Sequence, residues 1–109
     1  MKITTTNIQE PYASFVVDGQ KTVEGRLNRG KFAELAVGDI VEMNDERTPF
    51  EIVAKNVYAT FREMLEAEGI ANVLPDTFSL ERGVEVYRKF YSEEEEKEFG
   101  VVALRIKRV

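Results

Sequence analysis

Three side chains near the N-terminus have the types and spacing to do chemistry together. They are Lys21, Glu24 and Arg26, in the run Gly19-Gln20-Lys21-Thr22-Val23-Glu24-Gly25-Arg26. Residues two apart on an extended strand share a face, so Glu24 and Arg26 are neighbours if this stretch is a strand. A lysine ammonium holds a phosphate or carboxylate as a compact charge. If burial or a nearby Arg26 lowers its pKa, it serves as a base or nucleophile. Glu24 accepts hydrogen bonds from an amine or a base edge, and the planar fork of Arg26 suits phosphate or a base. The plainer explanation is a surface lysine at a turn beside a same-face ion pair, worth at most ~1 kcal/mol if exposed. Position weighs against it, because this strand should border the core, where unpaired charge is costly. Elsewhere the charges fall mainly on helix faces, turns and a terminal run, where solvation explains them.

Composition narrows the remaining chemistry. The 109 residues contain no Cys and no His, which excludes disulfides, thiol catalysis, imidazole bases and Cys- or His-built zinc sites. A carboxylate-only metal site is left formally open, but the pattern calls for neither metal nor cofactor. The net charge of −5 argues against a protein that coats nucleic acid through bulk charge, while leaving room for a local basic pocket. Hydrophobic residues make up 43% of the chain, enough for a core, and the length suits one domain spanning 1–109. No apolar run approaches the roughly 20 residues that cross a bilayer, and no basic-then-apolar leader is present. The expectation is a cytoplasmic monomer that does not engage membranes.

The elements that must position these residues follow from patterning. Met1 to Thr6 predicts a strand. Pro11 opens a short helix with Tyr12, Phe15 and Val16 on its apolar face, and Asp18-Gly19 stops it. Residues 21–27 form the next strand, with Val23, Gly25 and Leu27 opposite Thr22, Glu24 and Arg26. Gly25, lacking a side chain, invites a close approach to the backbone. Phe32, Leu35 and Val37 cover the core from an irregular segment. Gly38-Asp39 launches the strand Ile40 to Met43, which pairs as a hairpin with a strand from Pro49. There Phe50, Ile52 and Ala54 alternate with Glu51, Val53 and Lys55. Thr60 and Ser79 cap two helices. The second carries the stripe Leu80, Val84, Tyr87, Tyr91, with Gly83 kept small for close packing. Ser92 starts another helix, whose Glu93 to Glu96 are expected to be solvated, and Val102, Leu104 and Ile106 alternate along a closing strand. The order predicts an α+β fold: a small, mostly antiparallel β-barrel or strongly curved sheet with helices packed around it.

The run Gly19-x-Lys21-x-x-Glu24-x-Arg26 resembles the signature of the ASCH domain family. Further support comes from Val37-Gly38-Asp39 before a strand, the helical insert around Thr60 to Leu65, and the closing strand after Phe99-Gly100-Val101. The resemblance spans nearly the whole chain. It implies kinship with the PUA domains, RNA-binding modules built on a small barrel, and a pocket between barrel and helices with the signature residues at its mouth. It also implies binding of RNA or nucleotides. A small bacterial member removes the acetyl group from N4-acetylcytidine, using the signature lysine, a threonine where this chain has Glu24, and a glutamate from the later helical region. Lys21 matches that pattern, Glu24 departs from it, and the third position falls near Asp76 or Glu81. The expected function is therefore binding of RNA or of a nucleotide or modified base through Lys21, Glu24 and Arg26. Tyr58 at a strand end is the stacking candidate, and Asp76 a second pocket carboxylate. The alternative is an N-acyl-nucleoside amidohydrolase with Lys21 and Glu24 catalytic. Tyr12, Phe61, Tyr87, Phe90 and Tyr91 are read as core, since helical spacing explains most of them. Arg29, Lys31, Arg62, Arg105, Lys107 and Arg108 are read singly as solvated charge.

Overall fold

A computed structural model describes all residues, Met1–Val109. Five strands, β1 (Ile3–Thr6), β2 (Val23–Leu27), β3 (Ile40–Met43), β4 (Thr48–Tyr58) and β5 (Val101–Arg108), form one sheet in the order β1-β3-β4-β5-β2. Only β1 and β3 run parallel; the other pairs are antiparallel. Six helices surround the sheet: α1 (Tyr12–Val17), α2 (Gly30–Glu34), α3 (Phe61–Glu68), α4 (Ile70–Val73), α5 (Leu80–Arg88) and α6 (Glu93–Phe99). The α+β class is as expected, but the barrel does not close. The edge strands β1 and β2 share no ladder. Side chains bridge the seam instead: Arg26 donates to the carbonyl of Asn7, just past β1, and Lys31 donates to that of Thr5. The result is a curled half-barrel.

Burial explains the strand sequences. In β5 four consecutive residues, Val101 to Leu104, are buried, because both faces are covered. Val101 and Ala103 join the helix-side cluster with Val23, Phe61, Met64, Leu65 and Tyr87. Val102 and Leu104 join Leu35, Val41 and Ile52 inside the curl. The β4 alternation departs from the predicted one. Ile52 pairs with Ile106 and Ala54 with Arg105, so Val53 is an extra residue in a β-bulge. Beyond it the faces exchange. Lys55 lies opposite Leu104 and reaches the carbonyls of Ala33 and Leu35, while Tyr58 lies opposite Val101 on the helix side.

The three predicted caps are present, with Thr60, Ser79 and Ser92 each accepting from the backbone N–H three residues on. Ser92 and Glu95 form a full capping box. A Cβ on Gly83 would stand 2.8 Å from Leu65 Cδ1, so α3 and α5 do meet closely there. Other details differ from expectation. Phe32 lies on a short helix, and Val37 is exposed. Helix α5 ends before Tyr91. Glu96 is buried, accepting from the Phe61 N–H at 2.8 Å and from Arg88 at 2.7 Å. Its carboxylate serves the N-terminus of a neighbouring helix, where negative charge is favoured.

Candidate functional site

Helix α1 ends at Val17 with Asp18 as its C-cap, and the φ of +87° at Gly19 then sends the chain back along that helix. Lys21 N–H then donates to the carbonyl of Phe15, and Thr22 N–H to that of Asn72. These bonds turn the Lys21 side chain inward. It is only 3% exposed, and its Nζ meets the carbonyl oxygens of Val23 at 2.6 Å and Val73 at 2.7 Å, and Glu24 Oε1 at 3.2 Å. An ammonium has three protons, and here each has an acceptor. Glu24, 9% exposed, receives Arg26 Nε and Nη2 on its other oxygen, Oε2, at 3.2 and 3.0 Å. Arg26 Nη2 also donates to Asn7 at 2.8 Å, and its guanidinium lies 4.6 Å from the centre of the Phe32 ring. The three signature side chains thus form one relay, with the carboxylate between two cations.

The electrostatics follow from this packing. Burial pushes the Glu24 carboxyl up, but Lys21 and Arg26 outweigh it, and the group titrates below the ordinary carboxylate value. Burial pulls Lys21 below the usual lysine value, against the opposing pull of Glu24. Tyr87 is pushed well up by burial and then by the Glu24 charge, so its phenol stays neutral.

Beside the relay lies a cavity of about 150 Å³. Lys21, Glu24, Gly25 and Arg26 line one side, and Asn7 to Gln9, past β1, line another. Tyr12 from α1 and Val86, Tyr87, Phe90 and Tyr91 at the end of α5 supply the apolar wall. Phe61 holds two of these rings in place, stacking on Tyr87 at 4.3 Å and Tyr91 at 5.5 Å. A Cβ on Gly25 would stand 2.5 Å from Met64 Cε and 2.8 Å from the Tyr87 hydroxyl, so the bare backbone there admits both. Such a lining fits a flat, partly polar ring. Oε1 of Glu24 takes one bond and Oε2 two, which leaves acceptor capacity on Oε1.

The sequence-predicted residues divide. Lys21, Glu24 and Arg26 meet. Asp76 lies at the cavity's edge, beside the Tyr12 phenol, which burial and then the Asp76 charge push up. Tyr58 does not line the cavity. Its hydroxyl donates to Glu68 at 2.5 Å, and burial together with Glu68 raises it to about 12. Glu81 is at the surface, 3.4 Å from Arg62. Arg29 and Arg105 are taken up by Glu95 and Glu68. Tyr87 is core as expected, with Tyr12 and Tyr91 packed against the same cluster, but these three and the half-exposed Phe90 also line the cavity, a second role the sequence reading missed. The available signal was the phenols, since a stripe of pure core has no use for so many polar tips. Glu68, buried among Asn56, Tyr58 and Arg105, gave no sequence signal. No group of three or more Asp or Glu side chains gathers closely enough to hold a metal ion.

A curled five-stranded sheet with a buried Lys–Glu–Arg relay at an aromatic cavity defines a small α+β module with a pocket at its signature strand. The chain belongs to the ASCH domain family, whose model matches residues 7–109. It is similar over its full length to the crystal structure of the hypothetical protein PH0355, with 43% identity, a TM-score of 0.94 and all of that chain covered. The solution structure of protein PF0455 from Pyrococcus furiosus is 39% identical at a TM-score of 0.83, covering 100% of this chain and 98% of that one. An ASCH domain from Lactobacillus crispatus JV V101 shares the fold at 15% identity and a TM-score of 0.70, over 98% of this chain and 79% of that one. No curated protein matches the sequence.

Proposed function

We propose that the cavity binds a nucleobase, carried by RNA or by a nucleotide. The observation that carries this reading is Glu24. It is a buried carboxylate fixed by Lys21 and Arg26, with spare acceptor capacity, on the edge of a cavity walled by Tyr12, Tyr87, Phe90 and Tyr91. A nucleobase is an aromatic plane with amino and imino donors on its rim. Carboxylates accept from such donors, as from the amino group of cytosine, and aromatic side chains stack on the plane. Lys21 is spent on two carbonyls and Glu24, so its part is to hold Glu24 charged and oriented, not to grip phosphate. The kinship with PUA modules implied by the signature agrees with an RNA ligand. The reading takes the protein as a cytoplasmic monomer, which sedimentation and cell fractionation would check.

A panel of nucleosides and nucleoside 5′-monophosphates, read by thermal shift, tests this. A ligand specific to the native state adds RT ln(1 + [L]/Kd), about 2.7 kcal/mol at a hundredfold excess over Kd. Phe90 is half exposed, so Phe90→Ala should leave the melting temperature nearly unchanged. It should weaken binding about 5- to 150-fold, from the ~1–3 kcal/mol of a base–aromatic stack. No shift with any base, or shifts indifferent to Phe90→Ala, would contradict the reading.

A second reading takes the same Lys21–Glu24 pair as a proton relay. Lys21 Nζ lies 3.2 Å from Glu24 Oε1, and burial lowers its pKa. In an N-acyl nucleoside, Lys21 in its neutral form would take a proton from water as the oxygen adds to the acyl carbon. Glu24 would relay that proton to the departing amine as the C–N bond breaks, giving a carboxylic acid and the free base. Incubation of N4-acetylcytidine with stoichiometric protein, followed by chromatography, is decisive. Release of cytidine supports this reading, and none released while nucleosides bind removes it.

A further inference from the structure

Next to the cavity, across Val86, runs an open groove of about 520 Å³ between the 76–79 turn and α5. Val86 lines both spaces, and Asp76 of the groove lies beside Tyr12 of the cavity. Phe78 stands in it with 94% of its surface exposed, which is unusual for a phenylalanine in a chain with a well-packed core. Arg82 on α5 and Lys89 at its C-cap border it, and neither forms an ion pair. Seven of the chain's 15 Lys and Arg side chains have carboxylate partners, and Arg47, Lys97, Lys107 and Arg108 lack one as Arg82 and Lys89 do; what sets these two apart is that they flank a bare aromatic ring beside the cavity. Glu85 and Asp76 also face the groove and balance the two cations, on a chain whose net charge is −5. The opposite face of α5 is occupied by Gly83 against Leu65 and Tyr87 against Phe61.

We infer that this groove is a second subsite, in which Phe78 stacks the base adjacent to the one in the cavity and Arg82 and Lys89 meet the intervening backbone, so that the ligand is a single-stranded oligonucleotide and not a free nucleoside. The inference rests on the base-binding reading of the cavity. A stacking ring beside positive charge is how proteins follow a single strand. The acids in the groove keep the phosphate attraction modest and salt-sensitive. A free nucleoside would leave Phe78, Arg82 and Lys89 without a role.

The test is fluorescence anisotropy with labelled ribo-hexanucleotides of A, C, G and U, in competition with the four nucleoside 5′-monophosphates. The proteins are wild type, Phe78→Ala, Arg82→Ala/Lys89→Ala and Phe90→Ala. The preferred hexanucleotide should bind at least about tenfold tighter than its mononucleotide, and Phe78→Ala should remove that gain while leaving the mononucleotide affinity and melting temperature unchanged. The double variant should flatten the dependence of log K on log salt by about 0.7 for each cation that meets a phosphate. Hexanucleotides that bind no tighter than mononucleotides, or that are indifferent to Phe78→Ala, overturn the second subsite and leave the cavity reading standing. Loss in Phe78→Ala with none in Phe90→Ala overturns the cavity reading and the two-base arrangement with it.

Discussion

Glu24 keeps its negative charge at a buried position because two cations hold it there, and each of those cations is itself positioned by backbone carbonyls. Removing the charge while keeping the shape, as in Glu24→Gln, leaves the buried Lys21 and the part-buried Arg26 without their anion. Breaking a buried pair in this way costs roughly 3–5 kcal/mol. Urea unfolding at neutral pH should show a loss of that size, and a loss near zero would mean that water already solvates the relay. The same group sets an acid limit. Its folded-state pKa lies below the ordinary 4.5, so its stabilisation is full above 4.5 and is lost as the pH falls through the lower folded value. Wild type should lose stability below pH 4.5 more steeply than Glu24→Gln; parallel curves would remove Glu24 as the cause. These three residues were legible because period-2 spacing places Glu24 and Arg26 on one face whatever the rest of the fold does. What the spacing did not reveal is that Lys21, just before β2, is saturated. Its acceptors include Val73, 52 residues away in the chain.

Among the elements, the cap residues were the most readable, since Ser or Thr followed three residues later by Glu is a local signal that tertiary packing seldom overrides. Ser92→Ala removes the side-chain half of the capping box and should cost about 1 kcal/mol in thermal unfolding; no change would mean that Glu95 alone caps the helix. Tyr58 fared differently. The single extra residue at Val53 reverses every later side chain of β4, and no turn residue marks the bulge. Gly25 was readable as a point of close approach, but not for its partners. Gly25→Ala pushes a methyl group against Met64 and Tyr87, and should cost about 1–3 kcal/mol as overpacking while narrowing the cavity. Calorimetry and ligand affinity would both fall; a neutral variant would show that the Met64 and Tyr87 side chains yield freely.

For the molecule as a whole, the sheet curls far enough to bring its edges together and then joins them through Arg26 and Lys31 instead of a ladder. A barrel was the natural expectation from short alternating strands. Whether the last pair closes depends on long-range geometry that alternation does not encode. This seam also forms one wall of the cavity, through Asn7 to Gln9, so the fold and the proposed site share the bonds of Arg26. The measurement that bears most directly on the base-binding claim is a ¹H–¹⁵N titration of the labelled protein with the four nucleoside 5′-monophosphates. The account predicts saturable shifts at Tyr12, Lys21, Gly25, Tyr87 and Tyr91 with at least one base, leaving the Glu68–Arg105 side quiet. Absence of saturable shifts with all four, or shifts gathered around Glu68 and Arg105 instead, would contradict it.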